Sequence, residues 1–460
     1  MRFGTGLGPK LLALSMLLSV QAPAAMEKQY PNIEDTNRVA ASLISVLGGC
    51  PDKIWPGLKL SKLDVLLVNK ELPRQILVST MNKTITTIPN EELPPHVFQA
   101  AYSKIPYQGR EILYVDSQYG LSGSIKRSIT FGLAVHESFH MVDQRQWVQK
   151  RGARGTTLPL LASPRVARAM LYRNLVNVLK DKRNSAESLG KARFWYDEWL
   201  KADATEGVTT ADGYEGTAMY VETIASLYDQ RSCGATESEL EQLSFSTPVS
   251  NGSEAVGFSG LDSEGYFVGG MASLILRFRY PQLNWQALVA TGENPLQTLM
   301  KNVVPVADQA DERLKSRIEQ HVAKRSEQVE KFVAPARQAM SKDNAVYVAV
   351  PSSSMRTSFS PKGFFNDREG GVRYIPMAEP LDFQLTQGAR LRALEGSVFV
   401  EFEDSAPPCD DYGWQFVLES SEVVQSAQGQ FTIDTKHFKG LVNGKVKLDS
   451  QNRQWICVQP

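Results

Sequence analysis

Apolar residues in the first three quarters of the chain recur mainly at helical spacing. Val39, Leu43 and Leu47 stand four residues apart before a pair of glycines, and this pattern predicts a short amphipathic helix over 35–47. Continuous apolar runs then predict strands of a small sheet, at 63–68, 76–78 and 112–115. The helical period returns afterwards and predicts helices over 128–147, from 163 onwards, and over 186–200, 215–228, 265–279 and 310–340.

The pattern changes near residue 345 to an alternation of apolar and polar positions. Alternating runs surround Val346, Val398, Trp414, Phe431 and Val446, with turn residues between them. This period of two predicts antiparallel strands, arranged as a β-sandwich or barrel over 345–460. We therefore expect an α+β protein. Its first domain, at 26–344, combines a small N-terminal sheet with a mainly helical part that includes a helical insert at about 150–210, and an all-β domain follows.

The first 25 residues predict a signal peptide. Arg2 and Lys10 precede a ten-residue apolar run at 11–20, and small residues follow up to Ala25. A membrane-spanning helix needs about 20 apolar residues, so this run is too short to span a bilayer. No later segment has 18 consecutive apolar residues. We expect an exported protein, periplasmic or extracellular, with no transmembrane segment in the mature chain.

Charge and cysteine content narrow the possible partners and the compartment. The 50 basic residues are balanced by 50 acidic ones, so the chain has no positive excess for binding nucleic acid. Four cysteines in an exported protein predict two disulfides, for which three pairings are possible. We favour Cys50 with Cys233 and Cys409 with Cys457, because each pair then lies within one predicted domain.

The motif HExxH lies inside the helix predicted over 128–147. His136 and His140 are four residues apart, so both imidazoles lie on one helical face and can bind the same Zn²⁺ ion. Glu137 is then placed to act as general base toward a water on the metal. Asp143 lies about 10.5 Å from His136 along the helix axis, too far to join it on one ion. We expect Asp143 to support a histidine ring in the second shell, or to be a surface acid.

A later segment supplies a candidate for the third zinc ligand. Residues 214–222 read YEGTAMYVE. HExxH followed by EGxA resembles the gluzincin zinc metallopeptidases, distantly of the aminopeptidase N and thermolysin types, in which this Glu binds zinc. The resemblance implies a zincin-like catalytic domain with Glu215 as the third ligand, although Tyr214 stands where the aminopeptidase family has Asn. Between His140 and Glu215 lie 74 residues, more than in the relatives, and the predicted insert accounts for the excess. Glu222 is expected in the second shell, or as a surface carboxylate.

A second segment carries a weaker resemblance to the same family. Tyr266 begins a Y-x-x-G stretch, and the resemblance implies that its hydroxyl stabilises the oxyanion of a tetrahedral intermediate. A tyrosine that only packs is the alternative. The G-x-M-E-N type of stretch with which aminopeptidase N relatives bind a free amine is absent, so aminopeptidase specificity is not implied.

These observations predict an exported metallopeptidase with one Zn²⁺ per chain and a peptide or protein substrate. The substrate is expected along an edge strand, at 112–115, and the β domain is expected to be an accessory module for docking, partner binding or envelope attachment. A non-catalytic binding or scaffold protein with structural or vestigial zinc is the main alternative. Hydrolysis of a non-peptide amide or ester is the third.

Overall fold

The computed structural model describes most of the chain after residue 32. The described residues are 33–59, 63–98, 102–117, 124–147, 155–203, 206, 210–355, 361–367, 371–385, 388–402, 407–410, 412–426 and 429–459. The predicted signal peptide at 1–25 lies outside these residues. Among the described helices, none combines the length and the apolar character needed to cross a membrane.

A five-stranded sheet forms the N-terminal part of the fold. Its strands are β1 (Asp64–Val68), β2 (Arg74–Ser79), β3 (Thr84–Pro89), β4 (Tyr102–Tyr107) and β5 (Arg110–Asp116), in the order β3-β2-β1-β5-β4. β1 and β5 are parallel and the other neighbours are antiparallel. β1, β2 and β5 match the predicted strands because most of their residues are buried. β4 has no apolar pattern, since its side chains are exposed or half-buried except for Ile105.

The expected substrate strand at 112–115 is therefore not an edge strand. β5, which contains these residues, lies between β1 and β4, and β4 forms the edge. The sequence pattern did not distinguish the two because a buried interior strand carries the stronger apolar signal.

Helices make up most of the chain between the sheet and residue 340. They are α1 (Ile33–Leu47), α2 (Pro51–Ile54), α3 (Ser124–Val142), α4 (Ala162–Lys180), α5 (Ser185–Ala202), α6 (Thr210–Arg231), α7 (Glu237–Ser244), α8 (Leu261–Arg279), α9 (Trp285–Ala290), α10 (Pro295–Met300) and α11 (Glu312–Met340). α3 ends five residues before the predicted limit, and α6 begins five residues earlier than predicted. α6 packs between α3 and α8 in one large apolar core.

The C-terminal region is rich in strands, as predicted. Two sheets are formed by the C-terminal strands and by β6 (Thr156–Leu158), which comes earlier in the chain. The C-terminal strands are β7 (Ala345–Val350), β8 (Phe365–Asp367), β9 (Val372–Pro376), β10 (Leu381–Gln384), β11 (Arg390–Ala393), β12 (Val398–Phe402), β13 (Trp414–Glu419), β14 (Val423–Gln425), β15 (Gln430–Asp434), β16 (Phe438–Leu448) and β17 (Gln454–Val458). One sheet runs β10-β11-β16-β17-β7-β13 with β15 on β16 and β14 on β15, and another runs β12-β9-β8-β6. The prediction of antiparallel pairing over 345–460 is wrong at one place, because β17 is parallel to β7. β6, from outside that range, is also parallel to its partner β8.

The helical and strand-rich regions are joined by more than the chain connection. β6 belongs in sequence to the predicted helical insert, yet it pairs with β8 in the sheet of the C-terminal region. α11 also contributes to both regions: Ile318 and Val322 are in the helical core, whereas Val329 and Val333 pack with buried residues of the strands. The α+β class is thus confirmed, with the two regions sharing a packed junction.

Both predicted disulfides are present. Cys50 is bonded to Cys233, with 5.8 Å between their Cα atoms, and Cys409 to Cys457, with 5.4 Å. The first ties the end of α1 to the turn after α6, and the second ties the loop before β13 to β17. Closing long loops in this way stabilises a fold mainly by restricting the unfolded chain.

Candidate metal centre

α3 presents its two histidines to one side because its opposite face is held in the core. Phe131, Val135 and Phe139 recur every four residues and are almost fully buried. His136 and His140 each follow one of these positions, which rotates them by about 100° around the helix axis. Both imidazoles therefore face α6 at the same end of the helix.

Glu215 on α6 completes a cluster with these histidines. One carboxylate oxygen of Glu215 lies 3.3 Å from Nε2 of His136 and 3.0 Å from Nε2 of His140. The side chains of His136 and Glu215 are only 6% and 5% exposed. Two imidazoles and a carboxylate that converge on one point form a group that can hold a metal ion. The structure thus brings together the three residues that the motifs predicted as ligands.

Glu222 contacts the other side of the His136 ring. One of its carboxylate oxygens lies 3.1 Å from Nδ1 of His136. Burial lowers the pKa of His136, but its hydrogen bonds to Glu215 and Glu222 outweigh this and raise the pKa to about 10. Without a metal, the imidazolium supplies the positive charge between the two carboxylates. The surroundings of His136 therefore favour a cation, and Glu222 lies on the side of the ring where the second-shell partner of a metal ligand is expected.

The second histidine is supported by a residue that the sequence analysis missed. Gln144 donates through its amide nitrogen to the backbone carbonyl of Tyr214 and to the hydroxyl of Thr217, both at 2.7 Å. Its amide oxygen therefore faces Nδ1 of His140 and accepts a hydrogen bond from it. This fixes the tautomer in which Nε2 of His140 is free to bind a metal. Gln144 follows the end of α3, so the helical spacing of HExxH did not identify it.

Asp143 does not have the second-shell role that we predicted. Among the described residues, its hydrogen-bond donor is the backbone N–H of Lys59, 3.1 Å away, and not either histidine ring. Burial raises the pKa of Asp143 to about 6, although the Lys59 N–H opposes this. The prediction failed because Asp143 and Gln144 are adjacent in sequence, and only the end of α3 decides which of them turns toward His140.

Two tyrosine rings stack on the two histidine rings. Tyr266 on α8 lies parallel to His136, with 5.6 Å between ring centroids, and Tyr214 lies parallel to His140, at 4.3 Å. The predicted oxyanion residue, Tyr266, is thus beside the cluster of His136, His140 and Glu215. Tyr214 gives His140 an aromatic neighbour of its own.

Glu137 lies at the same cluster, and its environment modifies its acidity. Burial raises the pKa of its carboxyl group, while the two histidines lower it. A hydrogen bond from the hydroxyl of Tyr102 also lowers it. Tyr102 is the first residue of β4, so the edge strand of the sheet reaches the candidate catalytic carboxylate. A raised pKa makes the carboxylate a stronger base than an exposed glutamate, which suits a proton-transfer group.

Close contact between α6 and α8 sets the distance between Glu215 and Tyr266. A Cβ atom on Gly216 would lie 2.5 Å from Cα of Gly269, and one on Gly269 would lie 1.9 Å from the carbonyl oxygen of Asp212. Both distances are too short for any side chain, so the two backbones meet only because these positions are glycine. The glycine of the EGxA motif therefore has a packing role in this fold.

A buried charge network holds the same two helices from the side of α4. Arg168 is fully buried and donates to Asp212 on α6, at 2.7 Å, and to Glu264 on α8, at 2.8 Å. Arg165 donates to Glu264 as well, at 2.6 Å, and to Glu206. Asp212 lies one turn before Glu215, and Glu264 lies two residues before Tyr266. Sequence patterns did not reveal this network, because its members are scattered over four segments.

Comparisons of this chain with protein-family models, with curated proteins and with solved structures give no significant match. The arrangement of residues in the site therefore carries the functional argument.

Proposed function

We propose that this chain is an exported, zinc-dependent metallopeptidase of the gluzincin type. The single observation that carries the proposal is the convergence of His136, His140 and Glu215 beside the carboxylate of Glu137. Two histidines and a glutamate are the ligand set of one group of catalytic zinc sites, which keep a fourth position for water or substrate. A structural zinc site is normally closed by four protein ligands.

The donor spacing fits zinc. Zinc–nitrogen and zinc–oxygen bonds of about 2.0–2.2 Å in a tetrahedron require donors about 3.3 Å apart. The oxygen of Glu215 lies 3.3 Å and 3.0 Å from the two histidine nitrogens, close to that requirement. A zinc ion bound there would supply a water whose pKa is lowered to about 7.

The protein's own residues divide the remaining work. Glu137 accepts a proton from the attacking water and returns it to the leaving amine, and its raised pKa makes the carboxylate the stronger base for the first of these steps. Tyr266 donates a hydrogen bond to the oxygen of the scissile carbonyl as negative charge develops there. The peptide lies extended along β4, which is the last strand in the order of the described sheet and whose first residue, Tyr102, is next to Glu137.

Two further observations support export. The two disulfides are typical of an oxidising compartment, and the first 25 residues have the composition of a signal peptide. The substrate is then a peptide or protein outside the cytoplasm.

The decisive experiment combines metal analysis with cleavage of a mixed peptide library. We expect one zinc per chain and cleavage that a chelator abolishes and added zinc restores. Glu137→Gln is expected to retain zinc and to lose hydrolysis by a factor of about 10²–10⁴, because it removes the proton-transfer group. Glu319→Gln, on the exposed side of α11, is the matched control and should leave both unchanged.

Three results would change the assignment. A Glu137→Gln variant as active as the parent would remove the proposed mechanism. Zinc at one per chain without cleavage of any library peptide would favour the alternative of a binding or scaffold protein. Cleavage of esters or non-peptide amides, without cleavage of peptides, would favour the third hypothesis, a hydrolase that acts on a non-peptide amide or ester.

A further inference from the structure

A cavity of about 330 Å³ lies at the junction of the helical and strand-rich regions. One wall is α11 and the other is the segment that leads into β8. The described residues that line it include four basic side chains and no acidic one: His321, Lys324, Arg325 and Lys362. Phe332 and Phe365 add apolar surface.

Arg325 is half-buried and has no bonded carboxylate among the described residues. Among the described residues, no carboxylate lies within 4.0 Å of its guanidinium group, whose hydrogen bond is a long one, 3.4 Å, to the carbonyl of Phe258. Glu264 acts on it electrostatically, but that carboxylate already accepts from Arg165, Arg168 and the backbone of Gly257. Burying a cation without a bonded counter-ion is unfavourable.

The other basic groups leave most of their hydrogen-bonding capacity available. Lys362 lies 3.7 Å from Glu395, a residue with 70% of its side chain exposed, and such surface pairs contribute little. Its ammonium group also lies over the Phe332 ring, at 4.1 Å from the centroid. Lys324 is exposed, and Nε2 of His321 is buried with no hydrogen-bond partner.

We propose that this cavity binds a phosphomonoester group attached to a small apolar or ring-shaped moiety. Arg325 provides a planar fork for two phosphate oxygens, and Lys324 and Lys362 add two point charges. Three positive charges complement the two negative charges of a phosphate group better than they complement the single charge of a carboxylate. The two phenylalanines contact the attached group, and the cavity is large enough for a ligand such as phenyl phosphate. This site is separate from the metal centre, so it does not depend on the proposed peptidase activity.

The test is calorimetric titration of the full chain with inorganic phosphate and with phenyl phosphate. We expect both to bind, with phenyl phosphate the tighter, and Arg325→Gln to weaken binding about 10- to 100-fold. Arg317→Gln is the matched control, since Arg317 is on the same helix but pairs with exposed Glu254. It should leave the affinity unchanged. Lys362→Gln should weaken binding by a smaller factor and serves if Arg325→Gln fails to fold.

A second arm distinguishes a soluble ligand from a lipid headgroup. Sedimentation with phosphatidylcholine vesicles that contain phosphatidic acid presents the same phosphomonoester on a membrane. Vesicle binding that is lost in Arg325→Gln, without binding of phenyl phosphate, would support the site and assign it to a lipid. The proposal would be overturned if neither phenyl phosphate nor the vesicles bound. It would also be overturned if Arg325→Gln and Lys362→Gln left the binding unchanged. Phosphate that bound at the metal centre instead would bind equally well to Arg325→Gln and Lys362→Gln, and would therefore overturn the proposal.

Discussion

Glu222 and Glu215 contact opposite nitrogens of the same imidazole, that of His136. Glu222 lies 3.1 Å from Nδ1 and Glu215 lies 3.3 Å from Nε2. The two carboxylates stand seven residues apart on α6, so they cannot both bind one ion, but they can hold one ring from two sides. Glu222 accepts the Nδ1 proton, which leaves Nε2 to face the metal.

Replacing Glu222 by Gln should therefore weaken metal binding. We expect the zinc affinity to fall about 10- to 100-fold, because the ring loses the charged acceptor that orients it and raises its basicity. Competition with a chromogenic chelator measures this affinity. Glu319→Gln should bind zinc as the parent does, and an unchanged affinity in Glu222→Gln would contradict the assigned role.

Alanine at Gly216 should separate α6 from α8. Because its Cβ would lie 2.5 Å from Cα of Gly269, we expect a loss of about 1–3 kcal/mol in the free energy of unfolding, together with weaker zinc binding. Gly213→Ala in the same helix is the matched control. Its nearest contact would be 3.7 Å, and alanine favours a helix over glycine by up to about 1 kcal/mol. Equal stability of the two variants would contradict the packing role; urea denaturation measures both.

Asp143→Asn should stabilise the protein at high pH. The folded-state pKa of Asp143 is raised from 3.8 to about 6, so the folded state favours the protonated form. Its contribution to stability is complete below pH 4 and is lost as the pH rises through 6. At pH 8 the variant should be more stable than the parent by about 2–3 kcal/mol, and at pH 4 nearly equal. Denaturation in the presence of a chelator at both pH values tests this, and a variant that is less stable at pH 8 would contradict it.

Removing Arg168 should destabilise both the fold and the metal site. Arg168→Leu removes the guanidinium group that pairs with the buried carboxylates of Asp212 and Glu264, and breaking a buried ion pair from one side typically costs about 3–5 kcal/mol. Because Asp212 lies one turn before Glu215, we also expect weaker zinc binding in the fraction that folds. Arg168→Lys should recover part of the stability, since it keeps the charge but loses the two-sided geometry. The exposed pair formed by Arg317 is the control, and Arg317→Leu should unfold at the same urea concentration as the parent.

Local patterns were sufficient for the long helices and for many buried strands, but not for the short helices α2, α7, α9 and α10. Helices α1, α3, α5 and α8 follow from apolar residues at a spacing of three or four, because one face of each is in the core. β4 escaped prediction because an exposed edge strand buries only Ile105. β6 was not predicted because it has only three residues and because its partner strand, β8, lies more than 200 residues away in the sequence.

The sequence alone determined that His136 and His140 share one helical face with Glu137 directly after the first of them, since four residues make about one turn of any α-helix. It also determined the α+β composition, because periods of two and 3.6 depend only on which side of each element meets the core. Only the tertiary structure decided that the Glu215 oxygen meets both histidines, that Gln144 rather than Asp143 supports His140, and that Tyr102 reaches Glu137. These contacts join segments whose approach depends on helix packing, such as the crossing of α6 and α8 at Gly216 and Gly269. No spacing along the chain encodes such an approach.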